Sequence, residues 1–119
     1  MKKIILFLFF FGLFENVFAD DVANNVSKLK LLKTCNGCDL NSANLAGANL
    51  TNAFIGRTIL TGAKITNTNF TGANLTNVDL TGAKITGANF TYVKIFKSNL
   101  TDSIFTRVNF YGATLVHSN

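Results

Sequence analysis

Residues 63–92 read A-K-I-T-N, T-N-F-T-G, A-N-L-T-N, V-D-L-T-G, A-K-I-T-G and A-N-F-T-Y, six groups of five with a large apolar residue at each centre. The same frame extends from Cys38 to His117 as 16 consecutive groups without an insertion. The centres are Leu40, Leu45, Leu50, Ile55, Leu60, Ile65, Phe70, Leu75, Leu80, Ile85, Phe90, Ile95, Leu100, Phe105, Phe110 and Leu115. Two places before each centre stands a small or β-branched residue, most often Ala, with Thr, Val, Ser or Cys in the others. Leu, Ile or Phe at the centre in all 16 groups is a pattern and not a composition effect.

A period of five fits neither the 3.6-residue helix nor the strict alternation of a strand. It requires a bend every five residues that returns the same two side chains to the interior. The small inward residue leaves room for the large one, so the interior fills without clashes. Abundant Thr, Asn and Gly disfavour a helix. Gly at the last place of six groups (Gly47, Gly62, Gly72, Gly82, Gly87 and Gly112) suits a corner that needs backbone freedom.

The groups A-N-L-A-G, A-N-L-T-N and A-N-F-T-Y at 43–47, 73–77 and 88–92 closely resemble the pentapeptide-repeat family, whose consensus is A-(D/N)-L-x-x. The resemblance covers residues 38 to 117. It implies an all-β fold, a right-handed quadrilateral parallel β-helix with four groups per coil and therefore about four coils. Asn49, Asn69, Asn89 and Asn109 fall 20 apart, as do Phe70, Phe90 and Phe110, which supports a 20-residue turn. Stacked Asn side chains are expected to hydrogen-bond along the stack, and stacked Phe rings to pack.

The organisation expected is a signal peptide at 1–19, an N-terminal cap at 20–37 and the β-helix at 38–117. Lys2 and Lys3 precede the apolar run Ile4 to Phe14, and Val17-Phe18-Ala19 supplies small residues at a cleavage site before Asp20 and Asp21. An uncleaved anchor is the rival reading, but the run is well short of the roughly 20 residues that span a bilayer. A solenoid must cover its open ends. Val22, Val26, Leu29 and Leu32 at helical spacing make residues Asp20 to Thr34 a short helical cap, with Lys28, Lys30 and Lys33 facing water. Only Ser118 and Asn119 follow the repeats, so the last coil is expected to be bare or covered by a partner.

Without residues 1–19 the chain carries nine Lys/Arg against five Asp, a net charge of about +4. No basic run stands out, so nucleic acid is not an expected partner. Catalysis is disfavoured by census: beyond residue 19 there is no Glu, one His, and only Asp39, Asp79 and Asp102 among the acids past the cap. No cofactor is expected. Cys35 and Cys38 form a single C-x-x-C. His117 lies at the far end and no second pair exists, which argues against zinc. No thioredoxin-like context supports redox chemistry. Both Cys continue the inward frame, as a candidate capping disulfide or as buried thiols. Five of six N-x-(S/T) sequons follow from the repeat itself. Thr occupies one outward position in seven successive groups, Thr61 to Thr91, which winds round the rod and is attributed to strand propensity.

Outward positions are mostly polar until the last coils, apart from Phe54 and Ile59. There Tyr92, Phe96, Ile104, Tyr111 and Val116 all face out. Tyr92, Phe96, Tyr111 and Val116 form the candidate partner-binding patch, with Phe96 stacked on Val116; the alternative is that these residues fold over the open end and only seal it. The function expected is a non-catalytic structural or protein-interaction module of the bacterial envelope, periplasmic or secreted, or in the thylakoid lumen of a cyanobacterium. It would bind another protein or a second copy through the C-terminal coils, where the resemblance implies that relatives dimerise. The alternative that the family suggests is imitation of DNA against a topoisomerase, which needs a strongly negative surface, a longer rod and the cytoplasm; this chain departs from all three.

Overall fold

The computed structural model describes residues 21–119; the expected signal peptide lies outside them. One helix, α1 (Val22–Leu32), precedes eight three-residue strands. These are β1 (Thr34–Asn36), β2 (Phe54–Gly56), β3 (Lys64–Thr66), β4 (Asn74–Thr76), β5 (Lys84–Thr86), β6 (Lys94–Phe96), β7 (Ile104–Thr106) and β8 (Thr114–Val116). All pair in parallel at a register of 20 residues, as in Thr34 with Phe54 and Phe96 with Val116. β1-β2-β4-β6-β8 build one sheet and β3-β5-β7 the opposite one. The two sides between are joined by single bridges, Asp39-Ile59-Asp79-Asn99 and Asn49-Asn69-Asn89-Asn109. Four groups therefore make one turn of a four-sided parallel β-helix. We number its sides by their central residues: side 1 from Leu40, side 2 from Leu45, side 3 from Leu50 and side 4 from Ile55. At strand spacing, β1 to β8 spans about 19 Å. The stack is joined at Thr34, four residues before the repeat frame opens at Cys38, because Cys35 already sits opposite Ile55.

The corners explain the period. The last residue of every group has positive φ, from 46° at Arg57 to 71° at Gly72. Gly supplies this at six corners, but the other ten carry side chains. Asn52, Asn67, Asn77 and Asp102 are the types that tolerate the left-handed region, whereas Tyr92 is not. After sides 1 and 3 the corner also closes a four-residue turn, as in Ala43 N–H to Leu40 O (3.0 Å) and Ala73 N–H to Phe70 O (2.8 Å). Positive φ at the third residue of that turn is the type II geometry.

Inside, every centre from Leu40 to Ile95 is at most 1 % exposed. Phe70, Phe90 and Phe110 stack on side 3 with ring centroids 5.0 and 5.4 Å apart. Where the small inward residue is polar, its hydroxyl is satisfied by backbone. Thr58 Oγ1 donates to Cys35 O (3.0 Å), and Thr68 Oγ1 to Leu45 O (2.7 Å). The buried polar atoms are therefore no cost to the core.

Asp21 caps α1 by accepting from Ala23 N–H (2.9 Å), and Lys33 leaves the helix in the left-handed region. Leu29 is fully buried on the first coil, with Val22 and Val26 packed beside it. Asn25 is buried with them, and its Nδ2 donates to Asp39 O (3.0 Å), a carbonyl on the edge of the first coil. Leu32, expected on the covering face, is 60 % exposed. The helix ends there, and the left-handed step at Lys33 turns the chain away into β1 before another turn can reach the core. At the opposite end no such cover exists among the described residues. Leu100, Phe105 and Phe110 are only partly buried, and Leu115 is 49 % exposed.

Candidate interaction surfaces

An Asn or Asp just before a centre and a Thr just after it lock together across the chain. Asn69 Oδ1 accepts from Thr71 N–H (2.9 Å) and Thr71 Oγ1 (2.6 Å), and Asn89 serves Thr91 in the same way. Asp79 and Thr81 repeat the arrangement on side 1. The Thr81 hydroxyl, then its backbone N–H, hold the Asp79 carboxyl below its ordinary pKa, against a smaller opposing push from burial. The expected hydrogen bonding of Asn along the stack gives way to this local clasp. A partner two residues away is already in place, whereas the next Asn is a full strand spacing off. The Thr residues also behave differently from expectation. Winding with a 20-residue turn returns them to the same side, so Thr61-Thr81-Thr101, Thr66-Thr86-Thr106 and Thr51-Thr71-Thr91 form columns.

The same register sorts the charges. Within the repeats Asp39, Asp79 and Asp102 all lie on side 1, which holds no base. Lys64, Lys84 and Arg107 lie on side 2, and Arg57, Lys94 and Lys97 on side 4. Side 3 carries no charge at all.

Phe96 and Val116 stand opposite each other on β6 and β8, at the top of side 4. Tyr92 and Tyr111 meet at the neighbouring corner with centroids 5.6 Å apart, both exposed. Two contacts at this patch escape a reading of the pattern alone: the His117 ring lies 5.9 Å from Phe96, and Lys97 Nζ sits 5.3 Å over it. A column of corner residues (Arg57, Asn77, Lys97, His117) would have pointed to them, since corners one coil apart stack. Ile104, also exposed, lies on side 2 and takes no part. At the other end Cys35 and Cys38 are buried, with Cα atoms 5.6 Å apart and their sulfurs in contact beneath α1. Among the described residues no group of three acidic, His or Cys side chains could hold a metal, and no helix is long and apolar enough to cross a membrane.

No curated protein sequence matches the chain. Among solved structures it is similar to the pentapeptide repeat protein Rfr23 from the cyanobacterium Cyanothece 51142. The TM-score is 0.61 at 23% identity, covering 83% of this chain and 96% of that one. A pentapeptide repeat protein from the Arabidopsis thaliana thylakoid lumen matches with a TM-score of 0.48 and 23% identity, over 73% of this chain and 61% of that one. The Nostoc protein HetL, involved in heterocyst differentiation regulation, matches with a TM-score of 0.36 and 22% identity over 72% and 50% of the two chains. The family described as pentapeptide repeats matches in eight copies over residues 34–63 and 60–91. With its unbroken five-residue frame, its four-sided coil and this match, the chain belongs to the pentapeptide-repeat family.

Proposed function

We propose that this protein is a non-catalytic protein-interaction module exported to the bacterial envelope, which engages its partner through the C-terminal coils. The observation that carries the reading is the contrast between the two ends of the rod. α1 and Asn25 cover the first coil, whereas Leu115 of the last stands half in water beside Phe96, Val116, Tyr92 and Tyr111. Apolar and aromatic surface of this kind is enriched at interfaces. The simplest partner is a second copy, since two such ends pressed together hide the inward residues and the unpaired strand edges of both. Light scattering of the protein beside a Phe96→Ser, Val116→Ser variant tests this. A dimer for the former and a monomer for the latter is expected. Monomers for both at high micromolar concentration refute self-association and leave another protein as the partner.

Export rests on the basic start, the short apolar run and the small residues before Asp20. In an oxidising compartment Cys35 and Cys38 would be disulfide-bonded beneath the cap. The intact mass of protein recovered from the envelope reads both: loss of residues 1–19 and of two hydrogens is expected. Retention of the N-terminus, or alkylation of both Cys without reduction, refutes them. A periplasmic, secreted or thylakoid-lumen setting is compatible with the reading. Imitation of DNA is not, because six Lys and Arg on sides 2 and 4 outweigh the three Asp of side 1.

A further inference from the structure

Side 3 differs from the other three sides in ways that point to a ligand of a different kind. Its outward positions are Asn49, Thr51 and Asn52, then Asn69, Thr71 and Gly72, then Asn89, Thr91 and Tyr92, then Asn109, Tyr111 and Gly112. None is charged, while each of the other sides carries three charges within the repeats. The Asn column is complete from the first coil to the last. Each Oδ1 is spent inside its own group, on Thr51 N–H (3.2 Å), Thr71 N–H (2.9 Å), Thr91 N–H (3.0 Å) and Tyr111 N–H (3.0 Å). The clasp fixes the side-chain rotamer, and the Nδ2 amides are not buried away from water. Among the described residues no protein acceptor meets these four amides, whereas Asn99 Nδ2 on side 1 donates to Thr81 Oγ1 (2.9 Å). The result is a row of four held amide donors, one per coil, at about the 4.8 Å strand spacing. At the top of the row Tyr111 takes the position that Thr holds in the three coils below, and its ring meets that of Tyr92.

We propose that side 3 binds a neutral, extended β-linked polysaccharide laid along the rod axis. One sugar would lie over each coil, with the chain ending on the Tyr92–Tyr111 pair. The rise of a coil is close to the rise of one sugar in an extended β-1,4-linked chain; successive sugars are turned over, so successive amides meet alternate hydroxyl edges of the chain. Amide donors suit hydroxyl acceptors. An aromatic ring offers an apolar face to the C–H face of a sugar and, in Tyr, a hydroxyl at its edge. The lack of charge excludes the two polyanions that a basic protein would otherwise attract, nucleic acid and acidic lipid. Ice, the other ligand of flat Thr arrays, is disfavoured by the same contacts. The Thr51, Thr71 and Thr91 hydroxyls already donate to Asn Oδ1 at 2.8, 2.6 and 2.5 Å, and the top of the side carries two exposed Tyr rings packed against each other.

The test exploits side 1, where an Asp makes the same clasp with its Thr. An Asn69→Asp, Asn89→Asp variant keeps the internal bonds and the fold but replaces two amide donors with charge. The protein, this variant and Tyr111→Ala are passed over cellulose, chitin and xylan, with circular dichroism to confirm that each is folded. We expect the protein to be retained on at least one matrix and each folded variant to bind about tenfold more weakly. The Phe96→Ser, Val116→Ser variant, altered on side 4, should bind as the parent does whether or not it dimerises. No retention on any of the three matrices, or equal retention of the Asp variant, overturns the proposal. Slowed ice recrystallisation without retention overturns it in favour of ice.

Discussion

Phe90→Ala removes the middle ring of the three-ring stack on side 3. Phe90 is fully buried, with Phe70 and Phe110 below and above at 5.0 and 5.4 Å and Phe105 at 6.3 Å across the interior. Truncating a buried Phe costs about 3–5 kcal/mol, because the lost transfer energy is joined by a cavity that the walls fill only in part. The walls here are poorly able to collapse. Every strand around the site is tied at fixed spacing to the coils on both sides, so the upper half of that range is expected. Phe110→Ala is the internal control. It deletes the same atoms from the last described coil, where the ring is only partly buried. About half the loss, roughly 1.5–2.5 kcal/mol, is expected there. Urea denaturation followed by far-UV circular dichroism compares the two. Because coils interact with nearest neighbours, amide hydrogen exchange should accompany it, to show whether the whole rod or only its end is opening. Equal losses for the two variants would mean that the C-terminal coil is as enclosed as the middle, and would undo the argument for an open end. A loss under about 1 kcal/mol at Phe90 would contradict the inward frame itself.

Two further expectations concern the clasp. Thr91→Ala removes a partly buried hydroxyl bond to Asn89 and should cost about 0.5–1.5 kcal/mol, while Thr91→Ser, which keeps the hydroxyl, should recover most of it in the same urea titrations. Asp79 has a folded pKa below its ordinary value of 3.8, chiefly because the Thr81 hydroxyl donates to it, so the clasp stabilises the protein above that value and the contribution is lost as pH falls through the lower folded pKa. Asp79→Asn should therefore flatten the acid limb of stability against pH below about 4, and an unchanged acid limb would show that Asp79 contributes nothing there.

The inward half of this structure was legible because it is a single repeated constraint. A centre that must fill the interior and a small residue that must leave it room can be counted residue by residue, and the count places Phe90 between Phe70 and Phe110. The outward half was less legible, since sequence neighbours there are not spatial neighbours. Thr61 to Thr91 read as a band winding round the rod until the 20-residue turn is applied, after which they fall into columns. The Asn–Thr clasp was present in the recurring N-L-T, N-F-T and D-L-T triplets, yet the pattern reads equally as strand propensity. Only the approach of Oδ1 to the hydroxyl separates the two. Asn25 was hidden for another reason. A polar residue in a cap helix is ordinarily placed toward water, and its use against Asp39 O depends on where the first coil leaves a carbonyl open.

What the fold demands of each group is two inward side chains and one left-handed corner, and it demands nothing of the charge on the remaining positions. A sequence drifting under those demands alone would scatter Lys, Arg and Asp over all four sides. Instead, three acids share side 1, three bases each occupy sides 2 and 4, and side 3 holds none. The corners carry the same message. Tyr92 accepts a positive φ of 57°, where six other corners use Gly, and its ring then covers Gly112 and meets Tyr111. Holding a bulky aromatic residue in that region costs of order 1–3 kcal/mol and stabilises no part of the interior. Arg57, Lys97, Arg107 and His117 hold the same conformation; at Tyr92 it places an exposed ring at the junction of the uncharged side and the open end. The two surfaces proposed for binding meet at that corner. Replacing Tyr92 with Gly should relieve the strain and stabilise the rod slightly while weakening whatever binds there, and a Tyr92→Gly variant that loses stability would show that the ring serves the fold after all.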